Sequence, residues 1–440
     1  MEKKKISLAK NHDSSKAEAG DYVEVSFIKN SYTGTLLESP SSDKGIVLLK
    51  LSSGYNIGFI KKEIVEMRVL KRKQESENKE VEIRKDGEKP NIAMIITGGT
   101  IASRYDAKTG GVRPLTKPED FFSFYPEIFE RVNVVKVEIP FMKASEDMYF
   151  KDWQKIAKVA EELLNDGNIK GIIITHGTDT LHYTSAALSF FLRGLNKPVV
   201  LTYSQRSSDR ASSDARLNLQ CSALAAVSDI AEVMLVGHGT GNDDFCYALP
   251  GAKVRKMHTS RRDTFRAVNT EPIAKIYPEK IEILSPHNVR NKNKARADSK
   301  FEEKVALLKV YPGQSPEILD YYLRNRYKGI VIEATGLGHV PTSNQAKESW
   351  IKKLKKLQSR GVIICAAAQT VFGRLDPYVY SNGREILETG VIFLEDMLAE
   401  TAFVKLGWVL GHEEWAKSKE TVKQKMLENF AKEFNKRLEE

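Results

Sequence analysis

The chain has 440 residues, 41% of them hydrophobic, and a formal net charge of +10. That is ample for two domains with buried cores, and it excludes a disordered tail or a small disulfide scaffold. No apolar run approaches the length of a membrane helix. The start, Met1-Glu2-Lys3-Lys4-Lys5-Ile6-Ser7, has no apolar stretch behind its basic residues, so neither a signal peptide nor export is expected and a cytoplasmic location is. The positive balance would suit work beside nucleic acid. Lys and Glu are mixed along the chain, however, with no basic stripe interleaved with aromatics, which reads first as a solvated surface.

In chain order, Gly20-Asp21-Tyr22-Val23-Glu24-Val25 alternates as a strand does, and Tyr32–Leu37, Gly45–Leu51 and Ser53–Gly58 follow with turn formers between them. Such a set makes a small, SH3-like β-barrel over residues 1–72. Residues 73–90 are a charged linker. The apolar run Ile92–Ile96 then feeds Thr97-Gly98-Gly99-Thr100-Ile101-Ala102-Ser103. A second run, Gly171–Ile174, feeds Thr175-His176-Gly177-Thr178-Asp179-Thr180, after which Leu181, Leu188, Leu192 and Leu195 recur at helical spacing. Residues 91–288 thus form a subdomain with two strand-to-helix turns. Arg290, Lys292, Lys294 and Arg296 make Val289–Ser299 a basic loop within a linker region, 289–325. In the last part, 326–440, Gly329–Ala334 and Gly361–Ala366 read as buried parallel strands with Trp350–Leu357 as the helix between them. Thr335-Gly336-Leu337-Gly338-His339 is one more glycine turn after a strand, and Thr421–Glu440 reads as a charged amphipathic helix on the surface.

The two threonine turns carry the chemistry. Open α/β sheets bind ligands outside the carboxyl ends of their strands. Gly98 and Gly99 let the backbone come close to a ligand and expose N–H donors, which suit a carboxylate or a developing oxyanion. Thr100 presents a hydroxyl at the same spot, and a hydroxyl needs a neighbouring base to become a nucleophile. Thr178 offers a second hydroxyl and Asp179 a carboxylate. Glycines and threonines also cap helices after strands, so the inference rests on both turns together. His176 is expected to be a hydrogen-bonded structural residue. Cys221, Cys246 and Cys365 are widely spaced, the histidines show no paired spacing, and no metal site is expected. Neither a G-x-x-x-x-G-K-[ST] loop nor a G-x-G-x-x-G fingerprint is present, so no cofactor is expected in this chain.

The pair TGGTIA and HGTDT resembles the L-asparaginase/glutaminase family of amidohydrolases. That resemblance implies a threonine nucleophile, Thr100, an acyl-enzyme route that releases ammonia, and a second threonine site built from Thr178 and Asp179, with Gly99 and Gly177 at the substrate. The family's lysine falls in Pro250-Gly251-Ala252-Lys253-Val254-Arg255-Lys256, where Lys256 aligns best and Lys253 competes; replacing Lys253 is then expected to matter little. Such a lysine, with its pKa lowered, acts as a base. Ala144-Ser145-Glu146-Asp147-Met148 resembles the family's substrate segment, making Ser145 and Glu146 ligands of the substrate's α-carboxylate and α-amino ends. The family's free-standing members carry a lid tyrosine shortly after the nucleophile; here Lys108–Pro114 occupies that place and Tyr105 is the only nearby phenol.

A small β-barrel ahead of such a domain resembles the D-subunit family of archaeal glutamyl-tRNA(Gln) amidotransferases, as does Gln205-Arg206-Ser207-Ser208-Asp209-Arg210 with Ser212-Ser213-Asp214. The resemblance implies an α/β fold: an asparaginase-like two-part parallel-sheet domain preceded by the SH3-like β-barrel. It also implies glutamine hydrolysis on behalf of a partner, the amidotransferase's E-subunit. That partner would bind tRNA, use ATP and Mg, and amidate glutamyl-tRNA(Gln), with the present chain forming a homodimer within a heterotetramer. In that setting, partner docking through the barrel or the basic loop would order Tyr105–Pro114 over Thr100. A stand-alone cytoplasmic L-asparaginase is the alternative reading.

Overall fold

The computed structural model describes residues 17–38, 45–52, 55–72, 87–105, 112–114, 125–207, 212–343 and 349–435. These fall into two compact units.

The first unit is an antiparallel sheet of β1 (Tyr22–Ser26), β2 (Ser31–Leu37), β3 (Ile46–Lys50), β4 (Asn56–Ile60) and β5 (Glu66–Lys71), in the order β4-β3-β2-β1-β5. Alternation puts Val23, Val25, Leu36, Val47 and Leu49 on the inner face, where they form the unit's core. The registers Leu36↔Leu49 and Val25↔Met67 fix those residues opposite one another. Gly34 is required on β2, because a Cβ there would stand 2.6 Å from the Lys50 carbonyl oxygen. Four of the strands match the sequence reading. The fifth escaped it, because Glu66, Arg68 and Lys71 give that segment the look of the charged run that follows.

The second unit carries two larger sheets, beside short two-stranded ladders. The larger has eight strands, in the order Ile281–Ile283, Ala274–Ile276, Cys246–Pro250, Val233–His238, Val199–Thr202, Ile172–Thr175, Asn91–Ile96 and Asn133–Glu138. The last five are mutually parallel, and the first three are antiparallel additions. The expected parallel sheet is therefore mixed at one edge. Ile172, Ile173 and Ile174 are all fully buried, as a strand covered on both faces requires, each worth about 1.5–3 kcal/mol of burial. Helices Phe150–Leu164, Leu181–Phe191 and Ala215–Val227 flank this sheet. The helix after the second turn stops at Phe191, short of the leucine series, because Leu192–Arg193 pairs with Arg296–Ala297 and Gly194 turns at φ +66°.

The second sheet is parallel, in the order Val305–Lys309, Gly329–Ala334, Ile363–Ala368 and Ile392–Phe393. Its first strand, with helix Ile318–Arg324, lies in the stretch 289–325 that the sequence reading assigned to a linker; the C-terminal half starts earlier than 326. The expected interior helix is present as Ile351–Ser359. The terminal helix spans Lys419–Leu427, and residues 428–435 after it are partly buried, not a surface cap. Glu433 there is fully buried and paired at 2.6 Å with the equally buried Lys405, which also donates to the Met426 and Glu428 carbonyls. Cys221, Cys246 and Cys365 are free and buried. Among the described residues no helix is long and apolar enough to cross a membrane.

Candidate active site

Strands Asn91–Ile96 and Ile172–Thr175 are parallel neighbours, so their carboxyl ends deliver both threonine turns to one place. Thr97 fixes the pairing at the edge, its N–H and its hydroxyl both donating to the Thr175 carbonyl, at 3.2 and 2.8 Å. Gly98 and Gly99 follow with φ of +122° and +83°, conformations that other residues rarely adopt. The chain then closes a 3₁₀ turn over Thr100–Ala102, with the Ala102 N–H and the Ser103 hydroxyl both on the Gly99 carbonyl. Glycine is needed for space as well. A Cβ on Gly98 would lie 2.3 Å from the Lys143 carbonyl oxygen, and one on Gly99 would lie 2.4 Å from the Gly177 nitrogen. The two turns abut through Gly99 and Gly177. Thr100 stands half-buried at the head of its 3₁₀ turn.

The second turn is stapled from below. His176 is fully buried; its Nδ1 bonds to the Gly177 carbonyl at 2.7 Å and its Nε2 to the Thr184 hydroxyl at 2.9 Å. Burial pulls its pKa down to about 4, so the ring is neutral and serves as scaffold, as expected. Thr178 is half-buried and the Asp179 carboxylate is exposed. Ser145 is buried against the turn: its hydroxyl accepts from the Asp179 N–H at 3.1 Å and its carbonyl accepts from the Thr180 hydroxyl at 2.6 Å. Its side chain would meet a Cβ on Gly177 at 2.9 Å, so that glycine too is set by space. Glu146, next in the 3₁₀ turn Ser145–Asp147, is exposed, and its carboxylate has no hydrogen bond or ion pair among the described residues. The N–H groups of Gly98, Gly99, Gly177 and Thr178 likewise have no acceptor among the described residues.

Geometry sets the two candidate lysines apart. Lys256, on strand Val254–Lys256, donates from Nζ to the Thr178 hydroxyl at 2.9 Å and to Asp179 Oδ1 at 2.6 Å. Lys253 points the other way. It is buried and paired with the buried Asp396 carboxylate, and it also donates to the Asp396 carbonyl at 3.2 Å. Burial lowers the Lys253 pKa, but its charge is spent on packing.

Several sequence features serve structure instead. Asp214 is buried and accepts from the Gln205 and Arg206 N–H groups, while the Ser204 and Ser213 hydroxyls donate to the Arg206 carbonyl. That part of the serine-rich stretch is self-stitched; residues 208–211 lie outside the described residues. Arg290 of the basic loop is occupied with the carbonyls of Ser228, Lys170 and Ala226, whereas Lys292, Lys294 and Arg296 are exposed. Of Lys108–Pro114, the stretch expected at the place of a lid tyrosine, residues 108–111 lie outside the described residues, as do most of the linker and the first 16 residues.

Residues 91–288 match the family described as asparaginase, N-terminal, and residues 304–426 match the glutaminase/asparaginase C-terminal domain. Residues 17–70 match the GatD N-terminal domain. Full-length relatives decide the family. The glutamyl-tRNA(Gln) amidotransferase D-subunit of Pyrococcus furiosus is 48% identical over 428 residues, 95% of either chain. That of Thermococcus kodakarensis is 49% identical over 391 residues, 88% of this chain and 86% of its own.

This chain belongs to the D-subunit family of glutamyl-tRNA(Gln) amidotransferases.

Solved structures place its second unit among the asparaginases. The thermostable L-asparaginase from Thermococcus kodakarensis superposes with a TM-score of 0.69 at 28% identity, covering 78% of this chain and 99% of that one. L-asparaginase I from Vibrio cholerae gives 0.66 at 28% identity, covering 79% and 99%. A free-standing asparaginase is thus matched over nearly its whole length while about a fifth of this chain remains over.

Proposed function

We propose that this chain hydrolyses the side-chain amide of glutamine and supplies the ammonia to the tRNA-binding E-subunit of the amidotransferase, which amidates glutamyl-tRNA(Gln). One observation carries the reading: Lys256 holds both Thr178 and Asp179 at hydrogen-bond distance on a turn that abuts the one bearing Thr100. Two hydroxyl-bearing turns, one cation, one carboxylate and backbone donors without an acceptor among the described residues lie at the ends of two parallel strands.

In this account the Thr100 oxygen attacks the amide carbon and its proton passes to the leaving nitrogen. The C–N bond breaks, ammonia departs, and an ester remains on Thr100. Water then attacks that ester, with Thr178 and Lys256 relaying its proton, and glutamate leaves as the Thr100 hydroxyl is restored. The Gly98 and Gly99 N–H groups face the developing oxyanion. Ser145 keeps its hydroxyl proton for the substrate's α-carboxylate, because its oxygen is already an acceptor from Asp179. Asp179 and the exposed Glu146 serve the α-amino group. This chemistry needs no cofactor or metal in this chain, and ATP and Mg are assigned to the partner. The working assembly is a homodimer within a heterotetramer in the cytoplasm.

A stand-alone L-asparaginase fits the second unit but leaves the N-terminal sheet, matched by the GatD N-terminal domain, without a purpose. The two readings separate on ammonia released from glutamine by the full chain, alone and with the tRNA-binding partner and glutamyl-tRNA(Gln). Stimulation by the partner supports the amidotransferase reading, and indifference supports the other.

A further inference from the structure

Lys256 can serve Thr178 only if its strand is held still. That strand, Val254–Lys256, is three residues long and has one ladder neighbour, Phe265–Ala267, with Lys256 opposite Phe265. A strand this short gains little rigidity from its own pairing. Its support comes from elsewhere in sequence.

Three anchors tie the approach to Lys256 onto one short stretch of the C-terminal half. The Thr401 hydroxyl, buried, donates to the Ala252 carbonyl at 2.9 Å. The Asp396 carboxylate holds Lys253 with both side chains buried, and is itself fixed by the Asn435 N–H at 3.0 Å. Glu400 Oε1 lies 3.1 Å from the Arg255 guanidinium. Thr401 and Glu400 open the helix Ala399–Leu410, whose body is almost wholly buried, so the anchors are mounted on a rigid element. His182, from the helix that follows the second turn, sits with Nε2 4.0 Å from the same Glu400 oxygen. The helix that leaves the Thr178 turn and the strand that carries Lys256 therefore meet at one carboxylate.

From these contacts we infer that Asp396, Glu400 and Thr401 form a positioning clamp for Lys256, with Glu400 setting the reach of Lys256 toward Thr178 through Arg255. None of the three touches the reacting atoms. They act by fixing the strand, and a displacement of about 1 Å at such a group costs on the order of a hundredfold in rate. The clamp makes the C-terminal half part of the chemistry although every proposed catalytic side chain lies in the N-terminal half. It rests on the assignment of Lys256 under Proposed function.

The test is glutamine hydrolysis by the full chain assembled with its amidotransferase partner, comparing wild type, Glu400→Gln, Lys256→Met and the double variant. Glu400→Gln keeps shape and volume but weakens the hold on Arg255. It is expected to lower kcat about ten- to a hundredfold, with KM for glutamine within about twofold. In the Lys256→Met background the same change is expected to lower kcat no further, because a residue acting through Lys256 has nothing left to position. A kcat for Glu400→Gln within twofold of wild type overturns the clamp. So does an equal fractional loss in the Lys256→Met background, which would mean that Glu400 supports folding at large. Near-normal turnover in Lys256→Met alone would refute the site assignment itself. Should Glu400→Gln not fold, Thr401→Val, which removes only the hydroxyl held on Ala252, carries the same comparison with the same criteria.

Discussion

At the scale of single residues, the account turns on Thr100 and on the division of labour between two lysines. Thr100→Val keeps volume and β-branching and deletes only the hydroxyl. Ammonia release from glutamine is expected to fall by several orders of magnitude with the unfolding midpoint unchanged. Near-normal turnover would move the nucleophile to Thr178. Lys256→Met is expected to cost about a hundredfold or more in kcat, because Thr178 and Asp179 lose their common partner. Lys253→Met, expected from the sequence to matter little, is now expected to cost about 3–5 kcal/mol of stability, since it strands the buried Asp396 carboxylate. Denaturant titrations separate the two lysines, and an unaltered midpoint for Lys253→Met would contradict the pairing. Nothing in the sequence distinguished them sharply. They lie three residues apart in the sequence, and only burial, which depends on where Asp396 falls in space, sends one inward and the other to the turn.

At the scale of elements, both turns were legible because glycine, threonine and a preceding apolar run each have a local cause: positive φ, a hydroxyl at a strand end, a doubly covered strand. What stayed hidden was set by distant partners. The three-residue strands Ala274–Ile276 and Ile281–Ile283 are too short to show a period, and the helix of the second turn ends where a remote strand at Arg296–Ala297 captures it. Gly99→Ala would add a methyl at 2.4 Å from the Gly177 nitrogen with φ at +83°, prising the turns apart. It is expected to abolish most turnover, whereas Gly241→Ala, which meets open space, is expected to change nothing. The His176 staple adds a pH dependence. Its pKa of about 4 in the folded chain, against 6.5 unfolded, means that the unfolded state binds the proton first as pH falls. The staple's contribution is full above about pH 6.5 and is lost progressively down to about pH 4, by on the order of 3 kcal/mol at most. The drop in unfolding free energy from pH 7 to pH 5 should shrink in His176→Gln; an identical drop would show that the staple carries none of it.

At the scale of the whole molecule, the two-part α/β architecture and the small β domain ahead of it were both legible, because each is announced by patterning over many residues. The start of the C-terminal half was not, since basic residues just upstream masked the Val305–Lys309 strand. Membership of the D-subunit family gives the extra N-terminal unit a reason to exist, and it sets the behaviour expected of the purified chain. A glutaminase that serves an acceptor on another polypeptide wastes glutamine whenever it runs alone, so its turnover should depend on that partner. The direct measurement is ammonia per active site from glutamine, for the full chain by itself and then with the tRNA-binding partner and glutamyl-tRNA(Gln). A sharp rise that disappears in Thr100→Val is the expected result. Equal rates in the two conditions would contradict the account and return the chain to the stand-alone asparaginases.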